Sequence, residues 1–204
     1  MDLRKIFVIL TAGLLALAAS GATGAEKLVG QVKSKLASAP SVDVVFTING
    51  GEGPVQGSAT MAKDRYFLST PVLTVWYDGR TQWTYLKSTD EVSITEPTAD
   101  ELIAANPFAI LSAASDNYTL RQLTDSQGRK RVELTPKSKM SGISKIVLFI
   151  DPATYYPHAI VVNFDDGRSV DVVIDKVTAG TTKPVSAFRY DKNRFPATEI
   201  IDLR

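Results

Sequence analysis

Residues 72–86 read VLTVWYDGRTQWTYL, and this stretch decides the fold. Two runs of β-branched and aromatic residues flank Asp78-Gly79. An Asp-Gly pair suits a two-residue type I′ turn, because both central residues need positive φ. A loop of that length sets Tyr77 opposite Arg80, Trp76 opposite Thr81 and Thr74 opposite Trp83. Side chains alternate across a strand. Val72, Thr74, Trp76, Trp83 and Tyr85 therefore share one face, and Leu73, Val75, Tyr77, Arg80, Gln82 and Thr84 share the other. The hairpin predicts a sheet with one strongly aromatic surface, and by itself it favours a packed core over that surface.

On either side the same grammar of short strands and turns continues. Residues 42–48, 54–61 and 65–70 read as strands separated by Asn49-Gly50-Gly51 and Lys63-Asp64. Residues 91–95, 118–123, 131–135, 144–150, 159–164 and 169–177 follow, with turn signals at 87–90, 125–128, Ser141-Gly142 and 165–167. Residues 188–190 make a short last strand, and the tail from Asp191 is charged and irregular. This spacing predicts an antiparallel meander. Leu28, Val29, Val32 and Leu36 recur at helical spacing and predict a helix over 26–36. Thr98 with Glu101 three residues on is a capping-box start, and Asn106-Pro107 divides the segment that follows into two short helices. Leu102, Ile103, Phe108, Ile110 and Leu111 are too apolar for a solvated loop, and the aromatic sheet face is their expected partner. The fold class is mainly β with helices (α+β): one curved antiparallel sheet with helices across its concave face.

Composition narrows the function. The chain of 204 residues is 44% hydrophobic and 22% charged, which is ordinary for a globular protein. Asp2, Arg4 and Lys5 precede an apolar run over 6–19 and a small-residue stretch over 20–25. This three-part plan predicts a signal peptide over 1–25, with cleavage near 24–25, and a single domain over 26–204. Without Arg4, Lys5 and Asp2 there remain 21 basic and 21 acidic residues. That balance gives no reason to expect nucleic acid. The absence of cysteine excludes a lipidated cysteine, so the exported protein is expected to be soluble and periplasmic. His158 is the single histidine and follows Pro157, where a strand histidine is the simplest reading. No metal-ligand spacing, G-x-S-x-G or P-loop appears. Asp165-Asp166-Gly167 reads as a hairpin turn, and Arg129-Lys130-Arg131 as a solvated turn or, less simply, a docking patch. No enzyme activity and no cofactor are expected. What remains is apolar surface, which in a concave site suits a lipid-like ligand.

An ordered set of motifs adds to this reading. After the amphipathic helix and VVFTI come Gly57-Ser58-Ala59-Thr60-Met61-Ala62-Lys63 and Phe67. Then follow Tyr77-Asp78-Gly79-Arg80-Thr81-Gln82-Trp83-Thr84-Tyr85, Asn106-Pro107-Phe108-Ala109-Ile110-Leu111 and Leu134-Thr135-Pro136-Lys137. In order, and across nearly all of the expected mature chain, this resembles the periplasmic outer-membrane lipoprotein carrier family, LolA. The resemblance implies a strongly curved antiparallel half-barrel closed by a helical lid. Its cavity would shelter the acyl chains of lipoproteins taken from an inner-membrane ABC-type transporter and handed to an outer-membrane acceptor. By resemblance the acyl-chain site comprises Phe46, Phe67, Trp76, Trp83, Tyr85, Leu102, Ile103, Phe108 and Leu111, in a protein expected to be a monomer. The family has Arg-Pro where this chain has Lys63-Asp64, and its arginine helps hold the lid. Lysine lacks the planar guanidinium fork, so lid closure through Lys63 is expected to differ. The alternative on the same fold is an envelope module that senses lipid or lipoprotein without transport.

Overall fold

The computed structural model describes residues 23–51, 53–98, 101–102, 117–123, 129–138, 142–195 and 198–204. Helix α1 (Gly24–Ala37) opens the described chain. Its Thr23 cap accepts a hydrogen bond from Glu26 N (3.2 Å), and the Glu26 carboxylate accepts one from Thr23 N (2.6 Å). This capping box satisfies two of the free N–H groups of the first turn. It starts the helix two residues earlier than the apolar spacing suggests. The expected cleavage position therefore falls within the first helical turn.

Twelve strands follow: β1 (Ser41–Asn49), β2 (Val55–Ala62), β3 (Arg65–Ser69), β4 (Leu73–Tyr77), β5 (Gln82–Leu86), β6 (Glu91–Thr95), β7 (Tyr118–Leu123), β8 (Lys130–Pro136), β9 (Ile143–Ile150), β10 (Pro157–Phe164), β11 (Ser169–Gly180) and β12 (Glu199–Asp202). They form one open sheet in the order β12-β6-β5-β4-β3-β2-β1-β11-β10-β9-β8-β7. The sheet is curved and antiparallel throughout except at one edge, where β12 pairs in parallel with β6. The two meanders, β1–β6 and β7–β11, meet only where β1 pairs with β11.

Strand alternation divides the side chains between two faces. On the inner face, cross-strand partners Ile48, Val172, Ile160, Leu148 and Val132 make one row. Val44, Ala59, Leu68 and Val75 make another, running across the other half. Ala25, Leu28, Val29 and Val32 of α1 pack against the same core. The helix lies against β1, β7 and β8, so it spans the part of the sheet between them.

Two expectations need correction here. The hairpin loop between β4 and β5 has four residues, not two. Trp76 faces Trp83, Thr74 faces Tyr85 and Tyr77 faces Gln82. The Asp78 side chain explains the change. Its Oδ1 accepts from Arg80 N (3.2 Å) and Thr81 N (3.0 Å), while Asp78 N donates to Thr81 O (3.2 Å). Only Gly79 within the loop has positive φ (+101°), so the I′ geometry is not adopted. The register moves by two residues, and an even shift leaves each side chain on its expected face. The second correction concerns the end of the chain. Residues 185–188 form a short 3-10 turn rather than a strand, and the last strand is β12.

Leu148 is completely buried in the inner row. Leu148→Ala is expected to destabilise the fold by about 2–5 kcal/mol through lost burial and a residual cavity, measured as a lowered urea midpoint. His158 packs against Phe149 with ring centroids 5.8 Å apart, and its Nδ1 is buried without a hydrogen-bond partner among the described residues. Burial first, and then the charge of Arg129, push its pKa below the ordinary 6.5; Asp151 opposes them. The unfolded chain then binds more protons than the folded one below the ordinary value. Stability is expected to be full above pH 6.5 and to fall as pH drops below it. His158→Gln should flatten that segment of the stability profile, while an unchanged slope would assign it to other groups.

Candidate functional site

The inner face is the candidate binding surface. On β1, Val42, Val44 and Phe46 are buried and Ile48 is partly so, all pointing inward by alternation. A bulge between Val45 and Phe46 in the pairing with β11 sets Phe46 opposite Ile174. The Phe46 ring lies over Gly57, its partner on β2: a Cβ at Gly57 would stand 2.5 Å from Phe46 Cζ. Tyr66, Leu68 and Val75 carry the buried apolar surface across β3 and β4.

Toward β5 the polar groups on this face form neutral pairs. The Tyr66 hydroxyl donates to Gln82 Oε1 (2.7 Å), and Gln82 Nε2 donates to Thr84 Oγ1 (3.3 Å). The Tyr66 and Tyr77 rings stand 5.2 Å apart. Burial, and then Tyr77, push the Tyr66 phenol well above its usual range, so it stays un-ionised. Thr98 and Glu101 make the expected capping box: Thr98 N donates to Glu101 Oε2 (2.7 Å) and Glu101 N to Thr98 Oγ1 (3.4 Å). Leu102, just beyond it, packs against the inner core. The helical start therefore approaches the same face as α1. Ile103, Phe108 and Leu111 lie outside the described residues.

The aromatic face of the opening hairpin is the other one. Thr60, Phe67, Trp76, Trp83 and Ile94 are successive cross-strand partners on the outer face, with Thr74 and Tyr85 alongside. The helices expected over these aromatics lie, beyond Leu102, outside the described residues. Among the described residues, the C-terminal tail packs on them. Tyr190 and Phe195 stand edge-on to Trp76, each 5.8 Å away, and Phe195 lies 5.1 Å from Tyr85. Tyr85 Oη and Thr198 Oγ1 both donate to Asp90 Oδ1 (3.0 and 3.2 Å). Arg189 Nε donates to Asp78 Oδ2 at 2.8 Å, with the Asp78 side chain only 8% exposed. Burial raises the pKa of Asp78, but the N–H groups of Thr81 and Arg80, with Arg189, outweigh it and hold the carboxyl below its usual range. The structure thus places Phe46 and Leu102 on the inner face and Phe67, Trp76, Trp83 and Tyr85 on the outer one. Sequence reasoning misses Tyr66, Leu68 and Val75 as inner residues. Their signal is the alternate set of the same strands, less conspicuous than the tryptophans.

Lys63 sits in the exposed β2–β3 turn with φ +56° and carries no ion pair among the described residues. Among the described residues no group of three His, Asp or Glu could hold a metal ion, and no helix is long and apolar enough to cross a membrane. Among the described residues the inner face is apolar and buried.

Comparison with known proteins follows the same line. Residues 15–167 match the family described as outer membrane lipoprotein carrier protein LolA. The chain is 26% identical over 149 residues to an outer-membrane lipoprotein carrier protein of Dechloromonas aromatica, covering 69% of this chain and 70% of the relative. It is 36% identical over 76 residues to the Neisseria gonorrhoeae protein of the same name, covering 36% of each. Among solved structures it is similar to an uncharacterized conserved protein of Thermus thermophilus, with a TM-score of 0.59 and 12% identity. That likeness covers 88% of this chain and 99% of the other and concerns the fold alone.

Gly57→Ala tests the packing at the inner face. The added methyl meets the Phe46 ring at 2.5 Å and Ser69 O at 3.1 Å. Overpacking of this kind is expected to cost about 1–3 kcal/mol, read by thermal unfolding. Pairing the change with Phe46→Leu should recover part of the loss.

Proposed function

The chain belongs to the LolA family of outer-membrane lipoprotein carrier proteins, and we propose that it shelters lipoprotein acyl chains against its inner sheet face and carries them across the periplasm. The observation that supports this reading is the continuous apolar inner face of an open sheet, with α1 and Leu102 brought against it. An acyl chain needs a surface that removes its methylenes from water, at about 0.8 kcal/mol for each one buried. A helix lying on an open sheet can move away without breaking a ladder hydrogen bond. Entry and release then need only side-chain repacking.

In this reading Phe46, Leu102 and the inner residues Tyr66, Leu68 and Val75 form the wall. Ile103, Phe108 and Leu111 form the lid that the resemblance implies. Phe67, Trp76, Trp83 and Tyr85 leave the proposed site, because they stand on the outer face, where the tail packs on Trp76 and Tyr85. An inner-membrane ABC-type transporter supplies the cargo and an outer-membrane acceptor receives it. Lys63, exposed at the β2–β3 turn, is available to either partner.

Native mass spectrometry of the purified chain with an acylated lipoprotein is the direct test. One acylated protein bound per chain is expected, with no binding of the same protein stripped of its acyl groups; equal binding of both would overturn the reading. Leu102→Asp should weaken the complex, since an ionised carboxylate in an apolar site is costly. Trp83→Ala, on the outer face, should leave it unchanged.

A further inference from the structure

A groove runs between the solvent-facing stripe of α1 and the turn that joins β9 to β10. Lys27, Gly30, Gln31, Ser34 and Lys35 line one side and Tyr155 the other, around a volume of about 680 Å³. A Cβ at Gly30 would meet nothing within 4 Å, so the floor is open there. The turn that forms the far wall is tightly held. Asp151 Oδ1 accepts from Ala153 N (2.9 Å), Thr154 N (2.7 Å) and Thr154 Oγ1 (3.0 Å).

Two ammonium groups, those of Lys27 and Lys35, line this groove, and a third, that of Lys130, touches its Tyr155 wall. Lys130 Nζ lies 4.5 Å from the Tyr155 ring centroid and donates to its hydroxyl at 3.2 Å. Lys35 Nζ lies 5.1 Å over Tyr156. Lys27 stands exposed nearer the start of the helix. None of the three is ion-paired among the described residues, and no carboxylate lines the groove. The surface arginines behave differently: Arg80, Arg121, Arg168, Arg189 and Arg204 each hold a carboxylate. Lys27, Lys35 and Lys130 thus leave positive charge without a carboxylate partner along this groove, as at other exposed lysines, but here with tyrosine faces beside it. Lys130 also brings the Arg129-Lys130-Arg131 run, which the carrier function leaves without a role, to the edge of the site.

We propose that this groove docks an extended acidic peptide segment of a partner protein. Lys27 and Lys35 are eight residues apart on one helix, about 12 Å along its axis. Carboxylates four residues apart in an extended chain lie on one side and about 13 Å apart, so one acidic segment reaches both lysines. Gln31 and Ser34 between them offer hydrogen bonds to its backbone, and Tyr155 gives the intervening side chain an apolar wall. Acyl-chain binding on the inner face is a separate matter, and the test below involves no lipid cargo.

Fluorescence polarisation of the purified full chain with a short fluorescein-labelled Ser/Thr peptide carrying two glutamates four residues apart provides the test. Binding is expected for this peptide and not for its glutamine counterpart, and it should weaken as salt rises. Lys27→Glu and Lys35→Glu should each lower affinity by at least about tenfold, with circular dichroism unchanged. Lys176→Glu, on exposed β11, should bind as the parent does. The proposal is overturned by equal binding of the glutamine peptide, by full affinity in both reversals, or by no binding at all. It is equally overturned if the chain ignores the peptide and binds vesicles containing phosphatidylglycerol, which would make the groove a membrane contact.

Discussion

The ladder between β1 and β11 holds the molecule together. It pairs Ser41 with Gly180 at one end and Asn49 with Asp171 at the other, and no other pairing joins the two meanders. Each meander alone would leave an apolar face in water. Joined, they offer one surface wide enough for α1 to cross, from β1 to β7 and β8. Bringing the two strands together closes a loop of more than a hundred residues, an entropic cost that must precede any reward from their contacts. Side chains reinforce the junction: Ser41 Oγ donates to Thr181 O (2.8 Å), and Thr47 Oγ1 donates to Asp175 Oδ2 (2.8 Å). The bulge opposite Phe46 leaves Asp175 as the extra residue of β11, and it bends that strand and increases its twist, as bulges do. It lies at the middle of the sheet, where a bend contributes most to curvature.

The same pleat gives the sheet two different surfaces. The inner one is aliphatic over β8–β11 and β1 and becomes mixed toward β5, where Thr84 and Gln82 replace hydrocarbon. The outer one is aromatic over β3–β5 and is covered by a segment that returns from the far end of the chain. That segment completes its path by adding β12 beside β6, so that the β6 edge is paired rather than left as a template for another chain. The residues matched by the carrier family end at 167, before β11 and this tail. β11, which joins the meanders by pairing with β1, and the tail that covers the aromatics therefore lie beyond the matched stretch.

Local signals make much of this legible. The strands β6 and β7 begin and end where alternation and turn residues place them, and the Thr98–Glu101 capping box follows from Thr and Glu three residues apart; the same spacing at Thr23 and Glu26 is hidden by the small-residue stretch around it. The order of motifs points to the family. What stays hidden depends on long-range geometry or on one side chain. Asp-Gly at a hairpin tip serves two loop lengths, and the choice is made by Asp78 reaching the N–H groups of Arg80 and Thr81. Alternation shows that Trp76 and Val75 face opposite ways, but not which of them faces the helix. The tail looks irregular in sequence because Tyr190 and Phe195 are anchored by contacts more than a hundred residues distant, with no periodicity of their own. Of the expected site residues, Phe46 and Leu102 do face inward, whereas the conspicuous tryptophans point the reading to the opposite side of the sheet.

That placement has a spectroscopic consequence. Trp76 and Trp83 are the two tryptophans of the chain, and both stand on the outer face, where Tyr190 and Phe195 crowd Trp76. Intrinsic indole emission is therefore a gauge of the tail. A ligand entering beside Phe46 would leave the emission wavelength where it was, whereas lifting the tail from β4 would admit water to Trp76 and shift it to the red. The two sides of the sheet can be watched separately with no label attached.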